Sequence, residues 1–454
     1  MASYQAKFTV GVREMGSRSW WVVLLIVWGL PSTLWAQKPQ PKATSHLRQL
    51  YVQEQEQKLT PANFDLRFFP VGDRYQRHWE QLLWAVAVLE PEAPFVLQAL
   101  DQILALAGAQ PLTAGQRQIV RSALQVSHQL LLHRPQAYGT LQERLRQIAE
   151  ASPDPEWTAM AIAALHRSGI SRSELYALLG ALPRRFAHWA RHAFLYTTVE
   201  QISHELSRPP LPPLADLLHW QVAPQQVHLF VFCQSDRQEL CFALLRDREG
   251  KFVHHQGKLW SVPLLLASIH SLDWNFYRGA TPQGIYRMEG TVPQPDDSLF
   301  RAYGQFELIK LFVPWEDGVQ AFLPPQKGKF QGDLQAYLQL LPPSWRHYFP
   351  MQQTYWAGRI GRSLFRIHGS GEAPDYFRRV DQRRGEWNPT LGCLSSIETY
   401  DSHGNLVRGD MPQILQQIRQ VGNGKIEGFV IVVDLPEPMG VEEIAKIATN
   451  RASN

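Results

Sequence analysis

Apolar positions along the chain fall into two textures. From Phe64 to Ser207 they recur at three- and four-residue steps. In RHWEQLLWAVAVLE, residues Trp79, Leu82, Leu83, Val86 and Leu89 share one face, which predicts an amphipathic helix. The boundaries agree. Thr113 opens TAGQ and Ser171 opens SRSE, both capping-box patterns, and Asp154-Pro155 sets a cap residue ahead of a proline in the first turn. Paired stretches such as PEWTAMAIAALHRSG and SRSELYALLGALPRRFAHWARH predict an antiparallel helical array without a fixed repeat. SRPPLPPLADLL then breaks the pattern, because Pro209, Pro210, Pro212 and Pro213 cannot continue a helix. Beyond it the texture is strand-like. VHLFVFC and ELCFALLRD flank the polar turn QSDRQ as a hairpin, and RSLFRIHG and EGFVIVVDL read as further strands. Only DLQAYLQLL and MPQILQQIRQ keep a helical period there. The fold class expected is α+β and multidomain: an all-α helical array, then a β-rich domain.

The N-terminus adds an address. Arg13 and Arg18 precede an apolar run from Trp20 to Leu30, and Pro31 and the small Ala36 follow. That order is the pattern of a secretory signal peptide, with an uncleaved membrane anchor as the alternative. The expected organisation is a signal peptide over 1–36, a flexible Gln-, Pro- and Lys-rich linker over 37–60 and helices over 61–208. A Pro-rich connector over 209–221, a second domain over 222–440 and a tail over 441–454 complete it. The 454 residues are 44% hydrophobic and carry a formal charge of +4. The charge is too small to argue for nucleic acid. The helical array is a candidate surface for an envelope protein partner, though nothing in its sequence names a ligand.

The candidate chemistry rests on cysteine. Cys233 and Cys241 have the same parity in the two arms of the expected hairpin, so a disulfide and two buried thiols both fit. Cys393 is left over, and an odd cysteine in an exported protein calls for an explanation; a reactive thiol is one. It follows Gly392 in WNPTLGC, a turn that can expose sulfur beside backbone N–H groups able to stabilise an oxyanion. His368 leaves a strand into Gly369, a setting that suits a base. No cofactor is implied. The pair His254-His255 has no partners at metal-ligand spacing.

Thr281-Pro282-Gln283-Gly284-Ile285-Tyr286, then Ile367-His368-Gly369-Ser370, then Thr390-Leu391-Gly392-Cys393-Leu394-Ser395 occur in that order. The last half of the chain thereby resembles the L,D-transpeptidases, with their YkuD-like catalytic domain. The resemblance implies an exported enzyme that acts on peptidoglycan stem peptides, with Cys393 as nucleophile and His368 as base. Gly369 and Gly392 would orient these groups or stabilise the oxyanion. Ser370, Leu394, Ser395, Arg378 and Arg379 would stand near substrate. The motif departs from the family where Leu391 replaces a histidine and Ser395 an Arg or Asn. The loop between His368 and Cys393 is also longer than usual. It carries Arg378, Arg379, Arg383 and Arg384 with Tyr376, Phe377 and Trp387, and reads as a substrate lid or as a solvated basic loop. Hydrolysis by the same thiol, as an L,D-carboxypeptidase, and a non-catalytic envelope protein are the other readings.

Overall fold

A computed structural model gives the arrangement of residues 43–109, 111–237, 239–293, 303–371, 376–377 and 385–449. The proposed signal segment and Arg378, Arg379, Arg383 and Arg384 lie outside these described residues. Among the described residues no helix is long and apolar enough to cross a membrane.

The N-terminal half is helical. Helix Gln76–Leu89 buries Trp79, Leu82, Leu83, Val86 and Leu89. Thr113 and Gln116 close both halves of the capping box on helix Ala114–His133. Asp154 accepts from the N–H groups of Glu156 and Trp157 to start helix Pro155–Arg167, and Ser171 caps Arg172–Arg185. Each side-chain oxygen satisfies N–H groups that the first turn leaves without partners.

The C-terminal half is a mixed sheet of eight strands: β1 (Val227–Gln234), β2 (Cys241–Arg246), β5 (Ser261–Leu264), β6 (Gly284–Val292), β7 (Leu308–Phe312), β8 (Phe365–His368), β9 (Leu394–Ser395) and β12 (Glu427–Leu435). Their order is β5-β2-β1-β12-β6-β7-β8-β9. The small pairs β3 (His254–His255) with β4 (Lys258–Leu259), and β10 (Glu398–Tyr400) with β11 (Leu406–Gly409), stand apart. Pairs β1–β12 and β8–β9 are parallel, and the others in the large sheet are antiparallel. Leu265, just past β5, exchanges backbone hydrogen bonds of 2.8 and 2.9 Å with Ser395 in β9, so the sheet nearly closes on itself. Alternate residues serve two cores. Val227, Leu229 and Val231 pack with Ile367, Leu394 and the helix Met411–Val421. Phe230, Phe232 and Phe429 face the other way, onto Trp345, Tyr337 and Leu217.

Three stretches depart from their sequence reading. The expected linker contains helix Ser45–Lys58, capped by Thr44 and pinned where Ser45 N–H donates to Ser402 O. Its polar surface hid it, since only a narrow side packs on Gln76–Leu89. The Pro-rich connector holds helix Leu214–His219, which starts directly after its last proline and is anchored by Trp345 Nε1 donating to Pro213 O. The expected tail forms helix Val441–Thr449 and buries Ile444 beside that short helix. The helical half is also continuous with the sheet region. Its core takes in Ile269, Leu272 and Phe276 from the segment after β5, together with Tyr376 and Phe377. Residues 41–454 form one compact unit.

Candidate active site

The site grows from the short parallel pair β8–β9. Ile367 stands opposite Leu394, and both are fully buried in the barrel core. His368 stands opposite Ser395 on the other face. Cys393 lies in the bend that leads into β9, directly before Leu394, so the pairing of β8 with β9 brings its backbone near that of His368. The structure thus brings two distant sequence candidates together, His368 at the end of β8 and Cys393 in the bend just before β9. It turns the Leu394 side chain away from them, into the core.

The turn before β9 is built around Gly392, whose φ is +118°. Thr390 Oγ1 accepts from the Gly392 N–H at 3.2 Å and donates to Cys393 O at 2.7 Å. Thr281, from the first of the sequence motifs, donates to Gly392 O at 3.0 Å. These bonds correct one expectation. The Gly392 N–H already has a partner in Thr390 Oγ1 and is not free to meet an oxyanion.

Beneath the turn lies Arg362, which sequence reasoning missed. Its guanidinium is buried and donates to the carbonyls of Trp274, Gly279 and Ala280, the last two at 2.9 Å. It also stacks 4.9 Å from the Phe365 ring centre. Desolvation pulls its pKa down to about 10. Its sequence neighbourhood carries no signal, because its partners are backbone carbonyls from a segment far away in the chain.

His368 is buried, and its Nδ1–H donates to Gly369 O at 2.6 Å. That bond fixes the tautomer and leaves Nε2 as the acceptor nitrogen. Nε2 makes no hydrogen bond among the described residues. Desolvation lowers the imidazole pKa to about 4, against the help of the Gly369 carbonyl, so the ring is neutral at physiological pH. The Tyr303 ring meets it edge-on at 5.0 Å. Behind Gly369 sits Glu398, a buried carboxyl raised to about 7 by desolvation. It accepts from the Gln305 N–H and the Tyr400 hydroxyl.

Cys393 is partly accessible at the surface but set among dense protein, and this desolvation pushes its thiol up to about 11. The backbone N–H and charge of Arg366, and the charge of Arg362, favour the thiolate and limit the rise. The thiol donates to Leu364 O at 3.7 Å, a weak bond, rather than to His368. Leu364 is itself unusual. It has φ +65°, an exposed side chain, and an N–H held by the buried Glu316 at 2.9 Å. Leu391 and Tyr277 add further exposed apolar surface. Ser370 is buried and accepts from Asn388 Nδ2, while Ser395 Oγ is buried without a partner. Cys233 and Cys241 are joined by a disulfide, so Cys393 is the free cysteine of the chain.

Comparison with protein-family models, with curated proteins and with solved structures finds no match for this chain.

Proposed function

We propose that the chain is an exported cysteine L,D-transpeptidase acting on peptidoglycan stem peptides. The observation that supports this reading is that the parallel pair β8–β9 brings the bend carrying Cys393 alongside His368, whose Nδ1–H is held by Gly369 O. The thiol turns from Leu364 O to His368, and Nε2 takes its proton. The sulfur attacks the carbonyl carbon between a diaminopimelate-type residue and the terminal D-alanine, and the electron pair moves to oxygen. Collapse of this adduct breaks the C–N bond, and His368 returns the proton to the departing amine. The amine of a second stem then displaces sulfur from the thioester and forms the cross-link. Attack by water in its place makes the same site a carboxypeptidase.

The test is intact-mass measurement after incubation with a carbapenem, which acylates active thiols of this class. Wild-type protein should gain one adduct, and Cys393→Ala should gain none and lose cross-linking activity. An adduct that survives in Cys393→Ala, or none on folded wild-type protein, removes the proposal.

A second reading is supported by the resting thiol. Its bond to Leu364 O, its raised pKa and Leu391 in place of a histidine favour an envelope protein that binds without turnover. The absence of an adduct would select it.

A further inference from the structure

A cavity of about 320 Å³ lies between the helical half and the barrel, and neither Cys393 nor His368 lines it. Two arginines line it, one from each side. Arg167, at the end of helix Pro155–Arg167, gives Nε and Nη2 to Asp273 Oδ1 at 3.1 and 2.6 Å, and Nη2 also to Glu205 at 3.0 Å. Its Nη1 makes no hydrogen bond among the described residues. Arg237, in the turn after β1, holds Asp434 Oδ1 2.6 Å from its Nε. It is 7% exposed, and among the described residues neither its Nε nor its Nη1 makes a hydrogen bond, the contact with Asp434 being an ion pair without hydrogen-bond alignment. Each guanidinium therefore pairs with a protein carboxylate; Arg237 leaves a buried donor unused, while the more exposed Arg167 leaves Nη1 free to solvent or ligand. An unpaired buried donor is unfavourable unless something supplies an acceptor.

The amides nearby are not available for that role. Gln353 accepts from the Gln283 N–H at 2.7 Å and donates to Gln201 at 3.3 Å, while Gln283 Nε2 donates to Asp434 Oδ2 at 3.0 Å. They brace the walls. What remains for a ligand is a pair of cationic donors beside the carboxylates Asp434 and Asp273, with Asp236 at the exposed rim. Both signs of charge, a few ångströms apart, complement a carboxylate and an ammonium on one small molecule. The volume is at the low end for small-molecule sites, about 300–1,000 Å³, which suits one residue rather than a stem peptide.

We infer that this cavity binds a free amino acid as its zwitterion, with the α-carboxylate on the Nη1 groups of Arg167 and Arg237 and the ammonium toward the acidic side chains. This site does not depend on Cys393 being a nucleophile. Occupancy would nevertheless be felt at the thiol. Thr281 lines the cavity and holds Gly392 O, and Ala280 lines it and takes a bond from Arg362.

The experiment is calorimetric titration of the full chain with each proteinogenic amino acid in both enantiomers, and with the C-terminal amide of any that binds. One or more should bind with a single site per chain, and the amide should bind at least about tenfold more weakly. Arg237→Gln should weaken binding by a similar factor, and Cys393→Ala should leave it unchanged. Where Arg237→Gln does not fold, Ser235→Trp takes its place. It blocks the mouth from an exposed turn position without touching either ion pair. Failure of the whole panel to bind, binding that survives Ser235→Trp, or binding lost in Cys393→Ala overturns the assignment. A dead thiol with intact binding would instead sink only the transpeptidase reading.

Discussion

At Gly392 an added Cβ would sit 2.4 Å from Arg362 Nη2 and 3.0 Å from Gly279 O, on a backbone that side chains rarely adopt. Gly392→Ala should therefore cost about 1–3 kcal/mol in urea denaturation and abolish carbapenem acylation, because the turn that presents the sulfur is rebuilt. The thiol itself gives a second test. With its pKa near 11, the thiolate is scarce at neutral pH and grows about tenfold per unit below that value. Iodoacetamide alkylation of Cys393 should climb at that slope from pH 7 to pH 9, and a plateau below pH 8 would contradict the raised value. Cys393, His368 and Thr281 could be found in the sequence because each sits in a short ordered motif. Arg362, Glu316 and Glu398 could not, since what gives them meaning is burial against backbone groups brought in by the fold.

Between elements, the contact of helix Ala114–His133 with the segment after β5 is polar at its centre. His128 Nδ1–H donates to His270 O at 3.1 Å, and His270 Nδ1–H donates to Gln129 Oε1 at 3.0 Å. Desolvation lowers these rings to about 4 and about 3. In the unfolded chain they take up protons below about pH 6.5, while in the fold they stay neutral. Each therefore leaves stability unchanged above pH 6.5 and erodes it as pH falls toward its folded value, by up to about 1.4 kcal/mol per unit. Glu398 and Asp434, raised to about 7 and about 6, act in the opposite sense and gain stability as pH falls toward the ordinary carboxylate range. His270→Gln should flatten the loss of stability between pH 6.5 and 4.5, read from urea midpoints at the two values. An unchanged slope would show that His270 protonates freely in the fold. The strong periodic helices and the β1–β2 hairpin were readable because local pattern fixes them. The two-residue β9 and the closing bonds of Leu265 were not, because they are set by long-range pairing rather than by local period.

For the molecule as a whole, the disulfide Cys233–Cys241 clamps the turn that carries Arg237. Removing it with Cys233→Ala and Cys241→Ala should lower stability by about 2 kcal/mol, seen equally as a shift in urea midpoint when wild-type protein is reduced. The larger architecture has one further consequence. β12 is the last strand in sequence among the described residues, yet it lies between β1 and β6. The ribosome therefore delivers the middle plank of the floor after all its neighbours. Until it docks, two long edges stand open to pairing with other chains. A chain cut short before Glu427 should accumulate as aggregates rather than as a smaller, partly working protein, and a nascent copy has every reason to be shielded by a chaperone until that strand is made.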